Sequence, residues 1–207
     1  MILTTWGYTL TDADSLPDIV DVATFDTMTA GKYKGDVRTA SELRSAQGAV
    51  RNYVGWHLAG NLACKCELPR ADNSVVLSGA DIIVQLPARY VTDVTSVTVA
   101  GSSADNYDLQ TNGILRIYDA AHMLTHRWSK IVVEYNAGLT DEMADAVKEV
   151  ICHRVTHALA NSYGIQSESS GGVSVTYSAN WINTARATAL PDDNKEVLNP
   201  YRLQGVF

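Results

Sequence analysis

Residues 51–58 read RNYVGWHL, and within them an amphipathic helical pattern runs into a glycine and a tryptophan at the edge of a β-rich region. Glycine allows another backbone to approach closely, and tryptophan supplies a large area for burial. No side chain of the stretch has a recognisable reactive role. We therefore interpret Tyr53, Gly55, Trp56 and His57 as a packing joint, with Trp56 as a packing anchor rather than a ligand-binding aromatic.

Helical patterns lie on either side of a β-rich middle. Thr39 and Glu42 fit a capping box, and apolar residues then recur at helical spacing, which predicts a helix over 40–59. A stronger apolar stripe follows Thr140, a candidate N-cap, and continues for about 24 residues. The two patterns predict long helices that form the core of the fold.

The middle of the chain consists of short β-rich runs broken by Gly, Ser, Asn and Asp. Asn112-Gly113 is a turn dipeptide between two such runs and predicts a hairpin. Together the runs predict a compact antiparallel β module. The expected strands cover 63–68, 75–77, 82–86, 94–99, 114–118 and 131–135.

The C-terminal part begins with a polar Ser-Gly segment and continues with alternating apolar residues, which is typical of an extended arm. Pro191 is suited to the first turn of a short helix that ends before Pro200. The predicted fold class is α+β, with an inserted antiparallel β module and an extended C-terminal arm. The expected parts are an N-terminal arm (1–36), a helical core (37–62 and 139–164), the β module (63–138), and the arm with its short helix (165–207).

Composition narrows the function classes. The chain has 207 residues, of which 46% are hydrophobic and 19% are charged, as in soluble globular proteins. No apolar run is long enough to span a bilayer, and the first residues lack the pattern of an export signal. We therefore expect a cytoplasmic protein without membrane contact. The net charge of -7 also argues against a nucleic-acid binder, because such binding rests on basic residues that neutralise phosphates.

Candidate reactive groups are few. His153 and His157 lie four residues apart on the predicted second helix and could share a metal, which keeps a metal-dependent enzyme as the alternative function. The surrounding residues do not match a zinc-protease helix, and no third ligand is apparent. Cys64 and Cys66 are read as reduced strand residues, since a Cys-x-Cys pair on one strand does not easily form a disulfide. The sequence predicts no catalytic residue, no metal site and no cofactor.

The order of these parts resembles the head-tail connector proteins of long-tailed bacteriophages, also called adaptor or head-completion proteins. The resemblance covers most of the chain. It rests on VRNYVGWH (50–57), LPAR (86–89) with VTSVTVAG (94–101), VVEYNAG (132–138), SSGGVSVTY (169–177) and LNPYRL (198–203).

The resemblance implies a structural virion protein and not an enzyme. Such a protein would form a dodecameric homo-oligomeric ring in the neck, dock under the portal protein and extend the DNA channel. It would also offer a platform to the tail or to the next head-completion protein, while phage DNA passes through without specific binding during ejection. Before virus assembly it would lie in the host cytoplasm. The candidate residues for docking to the portal or to a neighbour are Val173, Val175, Tyr177, Trp181, Tyr201, Arg202 and Leu203.

Overall fold

A computed structural model of the chain describes residues 1–126, 128–160, 167–170, 173–176 and 190–203. These residues form four α-helices and twelve strands. The helices are α1 (Val22–Met28), α2 (Thr39–Val54), α3 (Asp145–Ala160) and α4 (Asp192–Leu198). None of them is long and apolar enough to cross a membrane.

The strands occur as short segments along most of the chain. They are β1 (Ile2–Leu3), β2 (Tyr8–Leu10), β3 (Leu62–Pro69), β4 (Val75–Ser78), β5 (Asp81–Gln85), β6 (Val91–Val99), β7 (Ser102–Ser103), β8 (Tyr107–Leu109), β9 (Ile114–Ile117), β10 (Lys130–Ala137), β11 (Ser167–Ser170) and β12 (Val173–Thr176). Single turns of 3₁₀ helix lie at Thr111–Gly113, Ala121–Met123 and Asn199–Tyr201.

The chain divides into two compact units. The first comprises Met1–Pro17, Gly55–Glu142 and the chain from Tyr201, and the second comprises Asp18–Val54 and Met143–Pro200. The first unit holds two antiparallel sheets, with strand orders β1-β2-β3-β10-β6-β7 and β4-β5-β9-β8. The expected hairpin at Asn112-Gly113 is confirmed, since β8 and β9 pair antiparallel on either side of it.

The core of the first unit is built by alternation along the strands. On β3 the residues Cys64, Cys66 and Leu68 are buried, and on β10 the residues Val133 and Tyr135 are buried among others of the same parity. Successive side chains of a strand point to opposite faces, so this pattern buries one face of the central pair of strands. The other face carries charge, as in the ion pair between Lys65 Nζ and Glu134 Oε1 at 2.9 Å.

The second unit contains the helices. The buried faces of α2 and α3 are mostly aliphatic, with the polar Thr39, Gln47 and Arg51 also buried on α2. The side-chain oxygen of Gln47 accepts hydrogen bonds from the backbone N–H groups of Ile19 and Val20. Because a buried amide is costly unless it is hydrogen-bonded, these contacts hold the segment before α1 to the buried face of α2. The N-terminal segment 1–36, expected to be an arm, thus contributes β1 and β2 to the first unit and α1 to the second.

The expectation of long helices forming the core was wrong. The described structure is mostly β, and its two longest helices have 16 residues each, or about 24 Å at 1.5 Å per residue. The helix expected over 40–59 ends at Val54, where Gly55 takes a positive φ of 84°. The helix expected after Thr140 begins only at Asp145, and residues 141–144 form turns before it.

Candidate functional site

Trp56 is the centre of the candidate joint. It follows α2 directly, and its side chain is fully buried. Gly55 allows the chain to turn there with φ 84°, a conformation that L side chains rarely adopt. A Cβ on Gly55 would lie 3.7 Å from the Leu203 side chain, which is ordinary contact distance. The glycine therefore serves the turn rather than a close backbone approach.

The indole of Trp56 holds the C-terminal segment of the chain. Its Nε1–H donates a hydrogen bond to Tyr201 O at 2.8 Å. Its ring stacks on Tyr90 with a centroid distance of 6.0 Å and an interplanar angle of 25°, and the Tyr90 ring contacts the Tyr201 ring at 6.2 Å. Burial, together with the neighbouring Tyr90, raises the pKa of the Tyr201 hydroxyl. Two motifs that lie 145 positions apart in sequence thus meet in one packed cluster.

The last described residues are fixed by further contacts within the same unit. Arg202 O accepts a hydrogen bond from Arg89 Nη1 at 3.1 Å, and Leu203 packs near Gly55. Arg202 itself is exposed, whereas Tyr201 and Leu203 are half-buried. The structure therefore anchors the backbone of Tyr201 and Arg202 and the side chain of Leu203, while part of all three side chains stays at the surface.

His57 lies beside Trp56 and is fully buried in a hydrogen-bonded network. Its Nε2 is 2.8 Å from Ala137 O, and a carbonyl can only accept, so Nε2 carries a proton. Its Nδ1 is 2.7 Å from the Tyr8 hydroxyl, and the His57 backbone N–H donates to that same hydroxyl oxygen at 3.0 Å. When His57 is neutral, the Tyr8 hydroxyl therefore donates to Nδ1 of His57, and the hydroxyl oxygen accepts from the backbone N–H of His57. The network ties β2 and β10 to the turn that follows α2.

Tyr53 belongs to the second unit. Its hydroxyl donates to Asn199 Oδ1 at 2.7 Å, which connects α2 to the 3₁₀ turn after α4. Within this unit, the Tyr53 hydroxyl thus connects α2 to the C-terminal part of the chain by a hydrogen bond. Tyr53 and Trp56 thus belong to different units, although only Val54 and Gly55 separate them in sequence.

The remaining candidate docking residues lie in the expected arm. Val173 and Val175 are in β12, which pairs antiparallel with β11 through Ser167↔Thr176 to Ser170↔Val173. Residues 167–170 and 173–176 thus form an antiparallel pair of strands, which we call the β11–β12 hairpin. Tyr177 and Trp181 lie outside the described residues.

The thiols and phenols beside the joint are not activated. Cys64 and Cys66 are free and buried, and burial raises the pKa of each thiol to about 12. Burial also raises the pKa of the Tyr135 hydroxyl well above its usual value. That hydroxyl has no hydrogen-bond partner among the described residues. Because the thiolate is the nucleophilic form of cysteine, this environment disfavours covalent chemistry.

His153 and His157 are neighbours on α3, with their rings edge to face and the centroids 4.8 Å apart. Burial lowers the pKa of His157, and the nearby His153 lowers it further. Within the described ranges, no group of three His, Cys, Asp or Glu residues is arranged to hold a metal ion.

Sequence reasoning missed Tyr8, Tyr90 and Ala137 as parts of the joint. The alternation of Tyr8 with Leu10 was the one available sign that Tyr8 is buried in a strand. Tyr90 and Ala137 carried no distinguishing signal, because a stacking partner and a backbone carbonyl acquire their roles through tertiary contact.

Comparison with known proteins finds similarity at the level of solved structures. Neither a protein-family model nor a curated protein matches the chain. Among solved structures, the chain is similar to one described as the neck of an empty GTA particle computed with C6 symmetry. The two chains are 18% identical with a TM-score of 0.49, and the alignment covers 96% of this chain and 97% of the other.

Proposed function

We propose that this protein is a structural component of a virion neck, a head-tail connector subunit that forms a ring with its own copies under the portal. The observation that carries the proposal is the hydrogen bond from Trp56 Nε1–H to Tyr201 O. It joins two motifs of the connector resemblance, VRNYVGWH and LNPYRL, in one buried cluster. These motif residues serve architecture, because the indole is used to hold the chain and not to receive a ligand.

The β11–β12 hairpin is our candidate for reaching the portal or a neighbouring subunit. Among the described residues its two strands pair with each other and with no other strand. An isolated two-stranded hairpin is at best marginally stable in water, so docking on another chain would stabilise it. The cost of ordering such an arm is offset by the surface buried at the interface. Val173, Val175, Tyr177 and Trp181 are the residues that we assign to this contact.

The charge of the chain suits a channel that lets DNA pass. Acidic residues outnumber basic ones, 23 Asp and Glu against 16 Lys and Arg. Carboxylates facing a channel repel phosphates, so DNA would pass without specific binding during packaging and ejection. In this proposal the ring ends in a platform for the tail or for the next head-completion protein, and the subunits assemble from the host cytoplasm into the virion.

In this proposal the protein has a structural role and no enzymatic activity. The imidazole of His57 is engaged on both ring nitrogens by Tyr8 and Ala137, and the buried thiols of β3 have raised pKa values. The alternative is a metal-dependent enzyme that uses His153 and His157. Elemental analysis of the purified protein decides between the two, since stoichiometric zinc or iron would favour the enzyme.

The test of the ring is co-expression of the full chain with the portal protein of the same particle. Native mass spectrometry and particle images should show a closed ring of this chain bound to one end of the portal. Single copies, with no ring on the portal, would overturn the proposal.

The role of the hairpin is tested in the same assay with the double variant V173D/V175D. Two charges at the alternating apolar positions should abolish portal binding because they would have to be desolvated in the interface. The matched control S174D/T176D adds the same charges at the intervening positions and should bind. If both variants bind as the unmodified chain does, the hairpin is not the docking arm.

A further inference from the structure

An exposed tryptophan lies on a well-held loop at one end of the six-stranded sheet. Trp128 is 83% exposed, the most exposed aromatic among the large hydrophobic residues of the described chain. The loop around it, which we call the tryptophan loop, comprises Leu124–His126 and Trp128–Lys130. Large exposed aromatics are uncommon on monomeric surfaces and are enriched at the centres of interfaces.

Hydrogen bonds hold the tryptophan loop on both sides of Trp128. Arg70, at the end of β3, donates from Nη1 to Leu124 O at 2.6 Å and from its backbone N–H to Ser129 O at 2.9 Å. Within the loop, the Ser129 N–H donates to His126 O at 2.9 Å, and Leu124 is buried. Trp128 is therefore held at the surface by a preorganised scaffold, which lowers the entropy lost when a partner binds.

A positively charged side chain, Arg70, lies beside the tryptophan loop and can engage an anionic group of a partner. Arg70 is half-buried and forms no ion pair with any described residue. Lys130 is paired with Glu67 at 2.7 Å, so among the described residues of this region Arg70 is a cation that a partner can engage. The sequence from Ala120 to Val133 contains no Asp or Glu. A fitting partner presents apolar side chains beside a carboxylate.

The same unit presents such a surface, which we call the N-terminal corner: Met1, Leu3, Asp12 and Asp14. Met1 and Leu3 are 75% and 76% exposed, and Leu3 lies on the edge strand β1. Asp12 is exposed and forms no ion pair within the described ranges, whereas Asp14 is paired with the Met1 amine at 3.1 Å. Residues 1–17 contain no Lys or Arg.

The two surfaces lie at different levels along β3, because Leu3 pairs with Thr9 at the level of Lys65 and the tryptophan loop adjoins Pro69. Thr11, which leads into the acidic loop, donates to Ala63 O near the start of the strand, whereas Lys130 pairs with Pro69 at its end. Six residues of strand separate these levels, or about 20 Å at 3.3 Å per residue. A contact between the two surfaces therefore has to form between copies, head to tail, and repeated head-to-tail contacts close into a ring or extend as a filament.

We propose that the tryptophan loop of one copy docks on the N-terminal corner of the next copy, with Trp128 covering Met1 and Leu3, and Arg70 facing Asp12. The occupant is a second copy of this chain because its corner matches the loop in both apolar character and charge. This inference rests on the proposed ring and specifies one of its subunit contacts.

The first test uses Trp128→Ala in the full chain, assembled with the portal and followed by native mass spectrometry over a concentration series. We expect the concentration for half-maximal ring formation to rise roughly 30-fold or more, as for a central interface residue. Because Trp128 is exposed, its removal should leave the thermal unfolding of the subunit unchanged. The matched control is Leu77→Ala on β4, a strand of the other sheet, where the removed side chain is 41% exposed and assembly should not change.

The second test reverses the charges one at a time. Asp12→Arg alone and Arg70→Glu alone should each impair assembly, because like charges then face each other at every contact. An equimolar mixture of the two variants should assemble again as alternating copies, since each contact then joins opposite charges. Recovery in the mixture also shows that the loop still folds in the Arg70→Glu variant.

The outcomes separate this contact from the proposed function. Rings that form equally well from the Trp128→Ala chain overturn the docking of the tryptophan loop and leave the connector proposal standing. Normal Trp128→Ala rings that fail to bind a tail protein would assign Trp128 to that partner and likewise overturn the inference. An unmodified chain that stays single in the presence of the portal overturns both proposals. Failure of the mixture to assemble, while Trp128→Ala is impaired, would refute the pairing of Arg70 with Asp12.

Discussion

Two buried tyrosines of the first unit provide a matched test of the joint. Tyr8 and Tyr135 are each 1% exposed and lie on β2 and β10, the two strands that flank β3. The Tyr8 hydroxyl contacts both Nδ1 and the backbone N–H of His57, whereas the Tyr135 hydroxyl has no partner within the described part of the chain. The same substitution, Tyr→Phe, should therefore have opposite consequences at the two positions.

The size of the difference follows from the hydrogen bonds that are lost. Tyr8→Phe deletes two hydrogen bonds to buried groups of His57, and a buried group deprived of its partner costs about 1–3 kcal/mol. We expect the free energy of unfolding to fall by about 2–4 kcal/mol. Tyr135→Phe removes a hydroxyl that was buried without compensation, so its free energy of unfolding should stay unchanged or rise by up to about 1 kcal/mol.

The assay is urea unfolding of the full chain and of each variant, followed by circular dichroism, with thermal unfolding as a second measure. A gap of about 3 kcal/mol corresponds to about 6–12 °C in Tm for a chain of this size. Both residues belong to the same unit, so the same transition reports both changes. Equal destabilisation by the two substitutions would refute the assigned network.

Three further predictions concern packing, backbone and thiols. Trp56→Ala should lower the free energy of unfolding by about 3–5 kcal/mol, whereas Trp128→Ala should leave it nearly unchanged; a loss confined to small-molecule binding would contradict the packing role of Trp56. Gly138→Ala should prevent normal folding, because its Cβ would clash with the backbone oxygen of Gly60, while Gly48→Ala in α2 has open space and should raise the free energy of unfolding by up to about 1 kcal/mol. Equal expression and Tm of these two glycine variants would show that the backbone approach at Gly138 is absent. The three thiols should resist iodoacetamide at pH 8 in the folded protein and react after unfolding, because burial raises their pKa values to about 12, 12 and 11; rapid labelling of the native chain, measured by mass spectrometry, would contradict their burial.

The local elements of the β module could be predicted because their signals are local. Alternation along β3 and β10 follows from burial of one face, and the Asn112-Gly113 turn joins its two strands without help from distant residues. Pro191 directly precedes the short helix α4 for the same reason, since its ring restricts the backbone of a single position.

Helix lengths were less predictable, because an apolar stripe does not by itself fix the residue at which a helix starts or ends. The stripe after Thr140 is compatible with a helix from that point, yet residues 141–144 form turns and α3 starts at Asp145. In the same way, the pattern of the first helix continues past Gly55, but the turn there carries Trp56 into the β-rich unit.

What the sequence by itself determined is the set of strands, the turns between them and the presence of a tryptophan suited to burial. Only the tertiary structure decided that Trp56 holds Tyr201 and that His57 is enclosed by Tyr8 and Ala137. It also decided that Tyr53 and Asn199, both in the second unit, are hydrogen-bonded to each other. The physical reason is that strand alternation and turn propensity act over a few residues. A hydrogen bond between residues 145 positions apart depends on the folded path of the whole chain between them.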